Sequence, residues 1–202
     1  VDKSTFPEYQ NKYGSGYGFG SSFLGTGTPD TVDTSNDASY GDPFDNQLVY
    51  QWDAFTPYSA NYGKATPWTA AKNGPITFFK DAHSFTNSLS LEKSTEKSNL
   101  LFSYVNTDQT GILVNSKLKK NQLSARFSQQ VTDKLTANAY ASVTLQNTVG
   151  RNSTGYNDNI MSNFRQWWAT NVDVKELQNV YNASGGQNVT WNWSDPTSAE
   201  GL

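Results

Sequence analysis

Two neighbouring stretches in the middle of the chain alternate between apolar and polar residues. Between positions 135 and 146, the odd positions hold only leucine, alanine or valine, and the even positions all carry a hydroxyl or an amide group. Residues 123–128 repeat the alternation, and the short segment 132–134 separates the two stretches. Two is the side-chain period of a β-strand, so the pattern predicts a β-hairpin with one apolar and one polar face.

The length of these stretches helps to distinguish a soluble sheet from a membrane-spanning one. Strands in soluble sheets usually have ~5–6 residues, whereas a tilted strand crosses a bilayer with ~9–11. The alternation alone fits a membrane hairpin and one wall of a soluble β-sandwich about equally well. In a membrane, the apolar face of the hairpin would meet lipid. The predicted lipid-facing residues are Ala125, Phe127, Ala137, Ala141, Val143 and Leu145.

The spacing between strands favours the membrane. Two further alternating segments, 85–91 and 100–105, predict two more strands upstream. In chain order the connections are short at 93–97, longer at 108–117, short at 132–134 and very long after 147. Up-and-down outer-membrane barrels have this asymmetry, with tight turns on one rim and extended extracellular loops on the other.

The segment after 147 changes to a helical period. Ile160, Phe164, Trp167 and Trp168 recur at helical spacing, with Asp158 as a candidate N-cap. A second helix is indicated because Asp173 and Glu176 have capping-box spacing, followed by an apolar stripe. That stripe consists of Val174, Leu177 and Tyr181. We therefore predict helices within about 158–181, inside a long loop.

This loop carries the candidate contacts to a ligand or partner. A loop this long needs packing of its own. The two adjacent tryptophans can stack on sugar rings, although packing inside the loop is the preferred role for at least one of them. The candidate contact residues are Trp167, Trp168, Asn171, Asp173 and Tyr181.

Composition narrows the function classes. The chain has 202 residues, a net charge of −3, a mean hydropathy of −0.68 and no cysteine. It lacks the ~20 consecutive apolar residues of a spanning helix, and it has no basic cluster for nucleic acid. Thiolate metal sites and Cys-His pairs are excluded, and His83 stands alone as a surface histidine. No serine nucleophile motif or assignable carboxylate pair indicates an enzyme, and no cofactor is expected.

The first 80 residues have little regular pattern. A glycine- and aromatic-rich tract at 13–20 predicts a flexible loop. Asp30, Asp33 and Asp37 lack EF-hand spacing, so solvated loop acids are preferred over calcium ligands. Three segments are expected: 1–83, loop-rich with early barrel strands; 84–147, four antiparallel strands; and 148–202, a long extracellular loop.

Several short motifs in order along the chain resemble one transporter family. Residues 6–16 read FPEYQNKYGSG, similar to "LPEYQNxYGxG" of SusC/RagA-type TonB-linked outer-membrane transporters, and 39–45 read SYGDPFD, similar to their "SWGPxFDG" box. Further on, 111–121 read GILVNSKLKKN and 171–177 read NVDVKEL, similar to "GIVPNSxLKRNN" and "NVDVKDL". The resemblance covers nearly the whole chain but only an early part of that family's barrel.

The resemblance implies a fold and a function. The expected fold is all-β: a slice of a ~22-stranded TonB-dependent transporter barrel, antiparallel and transmembrane, with long extracellular loops. The expected function is import of oligosaccharides or peptides across the bacterial outer membrane. A SusD-like surface lipoprotein is the expected partner, and TonB would bind through a part of the protein outside this chain, which we expect to be a piece of a larger precursor. A soluble glycan-binding β-module and a fragment of a secreted β-rich hydrolase remain as alternatives.

Overall fold

The computed structural model describes residues 2–156 and 158–194. The chain divides into two compact units: unit 1 combines Val1–Phe78 with Ser153–Leu202, and unit 2 is Phe79–Asn152. The segments before and after the predicted strands, which were expected as two separate parts of the chain, thus belong to one unit.

Unit 1 has short elements. Its small sheet has the order β1-β2-β3, with β2 parallel to β1 and antiparallel to β3. Single 3₁₀ turns follow at Trp52–Phe55 and Pro75–Phe78. The strands and helices of unit 1 are β1 (Asp30–Thr31), β2 (Leu48–Tyr50), β3 (Thr66–Pro67), α1 (Ile160–Gln166) and α2 (Val174–Ala183).

The core around this small sheet is aromatic. Trp68 is fully buried together with Val32 and Val49, and the partly buried Phe23 and Phe44 pack against this group. The ring centroids of the two phenylalanines lie 5.1 and 5.2 Å from that of Trp68, at tilted or edge-on angles that aromatic pairs prefer. The core thus joins residues that are spread over positions 23–68.

The glycine-rich tract at 13–20 is a loop, as predicted, but its backbone is tied down. Gly16 N–H donates to the Ala38 carbonyl at 2.8 Å, and Tyr40 N–H donates back to the Gly16 carbonyl at 2.9 Å. The Asp42 carboxylate accepts from the Gly20 N–H at 2.8 Å. These hydrogen bonds join residues about 20 positions apart in the sequence. Composition describes only the local residues, so it could not predict that the loop is held in place.

The first predicted helix exists, but its cap differs from the prediction. Asn159, not Asp158, is the N-cap of α1, and its Oδ1 accepts from the Met161 N–H at 2.9 Å. Both residue types cap helices well, so the sequence left a shift of one position open. The helix ends at Gln166, before the two tryptophans.

The second helix begins at the predicted cap. Asp173 Oδ1 accepts from the N–H groups of Lys175 and Glu176 at 2.9 and 3.2 Å. The Glu176 carboxylate does not complete the capping box and instead accepts from the Ser59 hydroxyl at 2.7 Å. The apolar stripe also differs: Val174 and Val180 are buried, whereas Tyr181 is exposed. Neither described helix is long and apolar enough to cross a membrane.

Unit 2 is a four-stranded antiparallel sheet in the order β4-β5-β6-β7. The four predicted strands are confirmed, and each is longer than its alternating segment. The connection predicted at 108–117 shrinks to 111–116 because the polar ends of both strands continue the pairing. The strands are β4 (His83–Ser94), β5 (Ser98–Thr110), β6 (Lys117–Thr132) and β7 (Leu135–Val149). The described chain is therefore mostly antiparallel β-structure with two short helices.

Candidate functional site

The register of unit 2 sorts its side chains into two faces. Residues that pair across neighbouring strands point to the same side of a sheet, so the pairing defines rows that run across all four strands. Three such rows form a band on one face in which every residue except Lys93 is apolar or aromatic, here called the apolar band. The rows are Leu89, Tyr104, Leu123 and Val143; Leu91, Phe102, Ala125 and Ala141; and Lys93, Leu100, Phe127 and Ala139.

The six predicted lipid-facing residues all lie on this apolar face. Ala125 and Phe127 pair with Ala141 and Ala139, and the remaining members follow at odd positions of β7. No residue of the four strands is buried, and Leu145 is 67% exposed. A continuous apolar surface of this kind on a folded chain marks a place where another apolar phase or molecule makes contact.

A polar row borders the apolar band. Asn87, Asn106 and Asn121 lie side by side in β4, β5 and β6. Asn121 Oδ1 accepts from the Asn106 Nδ2 at 2.9 Å and from the Tyr104 hydroxyl at 2.7 Å. The tyrosine thus has its ring in the apolar band and its hydroxyl in the polar row, as aromatic residues do at an interface between an apolar and an aqueous phase.

The opposite face of unit 2 is polar and nearly uncharged. Its side chains are mostly hydroxyls and amides, and in these strands its charged members are Glu92, Lys120 and Arg126. The Arg126 guanidinium lies 5.3 Å from the centroid of its cross-strand neighbour, the Tyr140 ring. One row consists of serine in every strand: Ser90, Ser103, Ser124 and Ser142.

The two tryptophans predicted as ligand contacts differ in environment. Trp168 is 9% exposed and packs edge-on against Phe164 and Trp191, with centroids 5.2 and 5.8 Å away. Trp167 is 40% exposed, and its ring centroid lies 6.5 Å from that of Tyr156 in an edge-on arrangement. Trp167 thus presents more of its surface to a ligand, and the small exposed part of Trp168 lines two other cavities of unit 1, of about 500 and 320 Å³.

Asn171 and Asp173 lie together at a cavity, and Tyr181 and the two tryptophans are not among its lining residues. The Asn171 amide is buried and hydrogen-bonded through both its oxygen and its nitrogen: its Oδ1 accepts from the Ser15 N–H at 3.0 Å, and its Nδ2 donates to the Gln51 side-chain oxygen at 3.2 Å. This residue joins distant segments of unit 1.

The cavity has a volume of about 500 Å³, in the range of small-molecule sites. Three parts of unit 1 form its walls: residues 51–53 with Asn61, the segment 66–73, and 171–179, which includes the first turn of α2. The segment 69–73 runs along 170–174, since Ala71 N–H donates to the Thr170 carbonyl at 2.8 Å and Val174 N–H to the Asn73 carbonyl at 2.9 Å. Most of the lining is polar.

Asp53 is a buried acid in this lining. It is 7% exposed, and its Oδ2 accepts from the Asn61 Nδ2 at 2.6 Å. Its Oδ1 is buried without a hydrogen-bond partner among the described residues. Burial raises the pKa of Asp53, the Asn61 hydrogen bond opposes that rise, and the nearby Glu176 charge adds to it. Nothing in the local sequence distinguishes Asp53 from the other loop acids, so its burial could not be predicted from the sequence.

The Asp173 carboxylate has a structural role. Besides capping α2, its carboxylate accepts from the Asn73 Nδ2 at 2.8 and 3.1 Å and from the Asn73 backbone N–H at 3.2 Å. These bonds fasten the segment 69–73 to the start of α2.

Among the described residues, no group of three or more histidine, cysteine, aspartate or glutamate side chains is arranged to hold a metal ion. The three loop acids considered as calcium ligands have local partners. Asp30 accepts from the Thr26 N–H, Asp33 from the Ser35 N–H, and Asp37 from the Tyr17 hydroxyl. His83 is exposed at the start of β4.

No model of a known protein family matches the chain, and no curated protein matches it.

Proposed function

We propose that unit 2 is a section of the wall of an outer-membrane β-barrel, in a TonB-dependent transporter of the SusC/RagA type. The observation that carries the proposal is the apolar band across the sheet, whose side chains unit 2 by itself leaves unburied. A soluble glycan-binding module or hydrolase would cover such a face with a second layer of its own structure.

The dimensions of β7 support a membrane-spanning strand. Its apolar positions run from Leu135 to Leu145. At ~3.3 Å per residue this run is about 33 Å long, and a tilt of ~40° reduces its height to about 25 Å. That height equals the apolar band of outer-membrane barrels.

The polar face supports a wet interior. Hydroxyl and amide side chains on the inside of a barrel keep their hydrogen bonds with water, with a plug or with polar solutes. The low number of charges suits uncharged, hydrogen-bonding cargo such as oligosaccharides or peptides, the expected substrates.

The outer strands support a barrel larger than this sheet. Within the described residues, β4 pairs only with β5, and β7 only with β6. Unpaired strand edges in lipid cost several kcal/mol for each unmet backbone group, so a membrane sheet must close on further strands. A transporter of the ~22-stranded class provides them.

Unit 1 supplies a surface for the proposed SusD-like lipoprotein partner. The hydrogen-bonded loop at 13–20 and the segment 38–42 bonded to it present exposed aromatic rings: Phe19 is 89% and Tyr40 is 73% exposed. Aromatic side chains on a rigid backbone lose little entropy on binding and often dominate interfaces. TonB binds through a part of the protein outside this chain.

The chain offers a clean test because it contains no cysteine. Val143→Cys and Ser142→Cys place a spin label on opposite faces of β7 at adjacent positions. In membranes, we expect the label at 143 to be relaxed mainly by oxygen, which concentrates in lipid, and the label at 142 mainly by a water-soluble nickel chelate. Equal relaxation by the chelate at both positions would refute the membrane proposal.

A further inference from the structure

We propose that Lys117 and Lys119 of β6 bind the phosphate group of a lipid in the outer leaflet of the membrane. Both residues belong to unit 2 and lie beyond the apolar band, on the side of the connection 111–116. In an outer-membrane barrel the longer connections are extracellular, so this side faces the outer leaflet. The inference rests on the proposal that unit 2 is a section of barrel wall, and it adds a lipid partner to that wall.

The strand register places both lysines on the face that would meet lipid. Lys117 and Lys119 occupy odd positions of β6, as does Ala125 of the apolar band, so all three side chains leave the sheet on the same side. Both lysines are exposed. Lys120, the next residue along the strand, points to the opposite, polar face.

The position along β6 brings the two lysines to the height of lipid headgroups. Ala125 lies in the middle row of the apolar band, and Lys119 and Lys117 are six and eight positions away from it. At ~3.3 Å per residue and a strand tilt of ~40°, these separations give heights of about 15 and 20 Å. The apolar layer of the membrane ends about 12.5 Å from its middle, and the headgroups occupy the next ~5–8 Å.

The charges at this height leave an excess of positive charge. Beyond the asparagine row, the charged outward-facing residues of the four strands are Asp108, Lys117 and Lys119. The carboxylate of Asp108 lies 3.8 Å from the Lys119 ammonium, and both side chains are more than half exposed, so this ion pair is weak. Lys117 has no ion pair within the described part of the chain. One carboxylate therefore stands against two ammonium groups.

A phosphate group matches the donors at this place. Its oxygens accept several hydrogen bonds at once, and each lysine ammonium has three donors. Thr110 is the cross-strand neighbour of Lys117, and Asn147 is that of Lys119, so a hydroxyl and an amide point to the same side. Alternate residues of a strand are ~6.6 Å apart, and two long, flexible lysine side chains can converge on one anion across that distance.

The apolar band favours a lipid over free phosphate as the source of this group. On β6 the band begins at Leu123, only four positions from Lys119. A lipid whose phosphate lies at the lysines can place its acyl chains along the band, whereas a free anion would contact the polar side chains alone. One lipid molecule thus uses both surfaces, and lysines next to an apolar surface are typical of contacts with anionic lipids.

A matched pair of lipids tests the role of the phosphate. Monophosphorylated lipid A and its dephosphorylated form have the same sugars and acyl chains, and native mass spectrometry of the whole protein in detergent counts the copies of each that remain bound. We expect at least fivefold greater retention of the phosphorylated lipid, because each lysine at an anionic lipid surface contributes about fivefold. Excess inorganic phosphate should displace little of it. Equal retention of the two lipids, or complete displacement by inorganic phosphate, would overturn the inference.

Substitutions in β6 assign the site. The double variant Lys117→Gln with Lys119→Gln removes both outward charges and should lower the preference for the phosphorylated lipid at least fivefold. Lys117→Arg with Lys119→Arg keeps both charges and should keep the preference. Lys120→Gln is the matched control, because it removes a lysine from the opposite face of the same strand. An equal preference in the double glutamine variant and in this control would refute the assignment.

The failure of this inference can be distinguished from the failure of the barrel proposal. If the spin label at position 143 is relaxed by the water-soluble chelate as much as the label at 142, both proposals fail. If the label at 143 lies in lipid and the double glutamine variant retains the preference, the lipid site alone is refuted.

Discussion

At the scale of single residues, unit 1 depends on positions whose importance is invisible in the local sequence. Gly14 and Gly18 belong to the same glycine-rich tract, yet only Gly14 lies against the core. A Cβ at Gly14 would come within 2.1 Å of the Trp68 ring and 2.9 Å of Phe44, whereas one at Gly18 meets nothing within 4 Å. The tract therefore contains both a packing position and a free one.

This contrast gives a prediction for unit 1. Gly14→Ala should destabilise it by about 1–3 kcal/mol, because two packed rings must move to accept a methyl group. Gly18→Ala should change the free energy of unfolding by less than about 0.5 kcal/mol. Denaturant titration followed by tryptophan fluorescence measures both. A similar loss in the two variants would contradict the packing at Gly14.

The buried acid gives a prediction for pH. The pKa of Asp53 is higher in the folded chain than in the unfolded one, mainly because burial disfavours the charge. Its protonated form therefore contributes stability that is fully present below the unfolded pKa of ~3.9 and is lost as the pH rises through the folded pKa. The neutral Asp53→Asn variant lacks this loss.

We expect the melting temperature of Asp53→Asn, relative to that of the natural protein, to increase as the pH is raised from about 4 to about 7. Asp158→Asn, which removes an exposed charge, should follow the natural protein across the same range. Parallel melting curves for Asp53→Asn and the natural protein would show that Asp53 has an ordinary pKa.

At the scale of elements, the sequence predicted the strands and helices, whose residue patterns repeat. It did not predict the strand ends or the cap of α1, which depend on individual hydrogen bonds. The four strands follow from a period of two, and the two helices follow from a period near 3.6. The strand ends were set too short because polar residues at the tips carry no alternation, although their backbones still pair. The cap of α1 was misplaced by one residue because Asp158 and Asn159 are both good caps.

The two candidate caps now form a matched pair. Asp173→Ala should destabilise unit 1 by at least the ~0.5–2 kcal/mol of a lost helix cap, because it also removes the bonds that hold Asn73. Asp158→Ala should cost almost nothing, since Asn159 does the capping. Thermal melts with circular dichroism compare the two variants, and an equal effect would indicate that the cap of α1 lies at Asp158.

The cavity could not be predicted from the sequence, because its lining residues are far apart along the chain. Gln51, Asp53 and Asn61 come from an irregular segment, and Asn171 and Glu176 lie more than 100 positions later. Each is an ordinary polar residue in its own neighbourhood, and only the tertiary fold brings them together. Of the predicted contact residues, Asn171 and Asp173 reach this cavity, and both act there as structural residues.

At the scale of the whole molecule, the outer strands of unit 2 distinguish a finished sheet from a section of a larger one. If the barrel proposal holds, the amides on the outer edges of β4 and β7 pair with further strands in the membrane. They should then exchange with deuterium as slowly as the amides of β5 and β6, which have neighbours on both sides in this chain. Fast exchange along the outer edge of either strand, measured on the membrane-inserted protein, would contradict closure.

The arrangement of unit 1 also sets an order of events in time. Its two segments lie on either side of unit 2 in the chain, and the Ser15 amide finds its acceptor only in Asn171. A ribosome that adds ~5–20 residues per second needs about 5–19 s to pass from 79 to 171. During that interval the N-terminal segment lacks the cavity wall that 171–179 form, so unit 1 can complete its fold only after all four strands and the segment up to Asn171 have been synthesised.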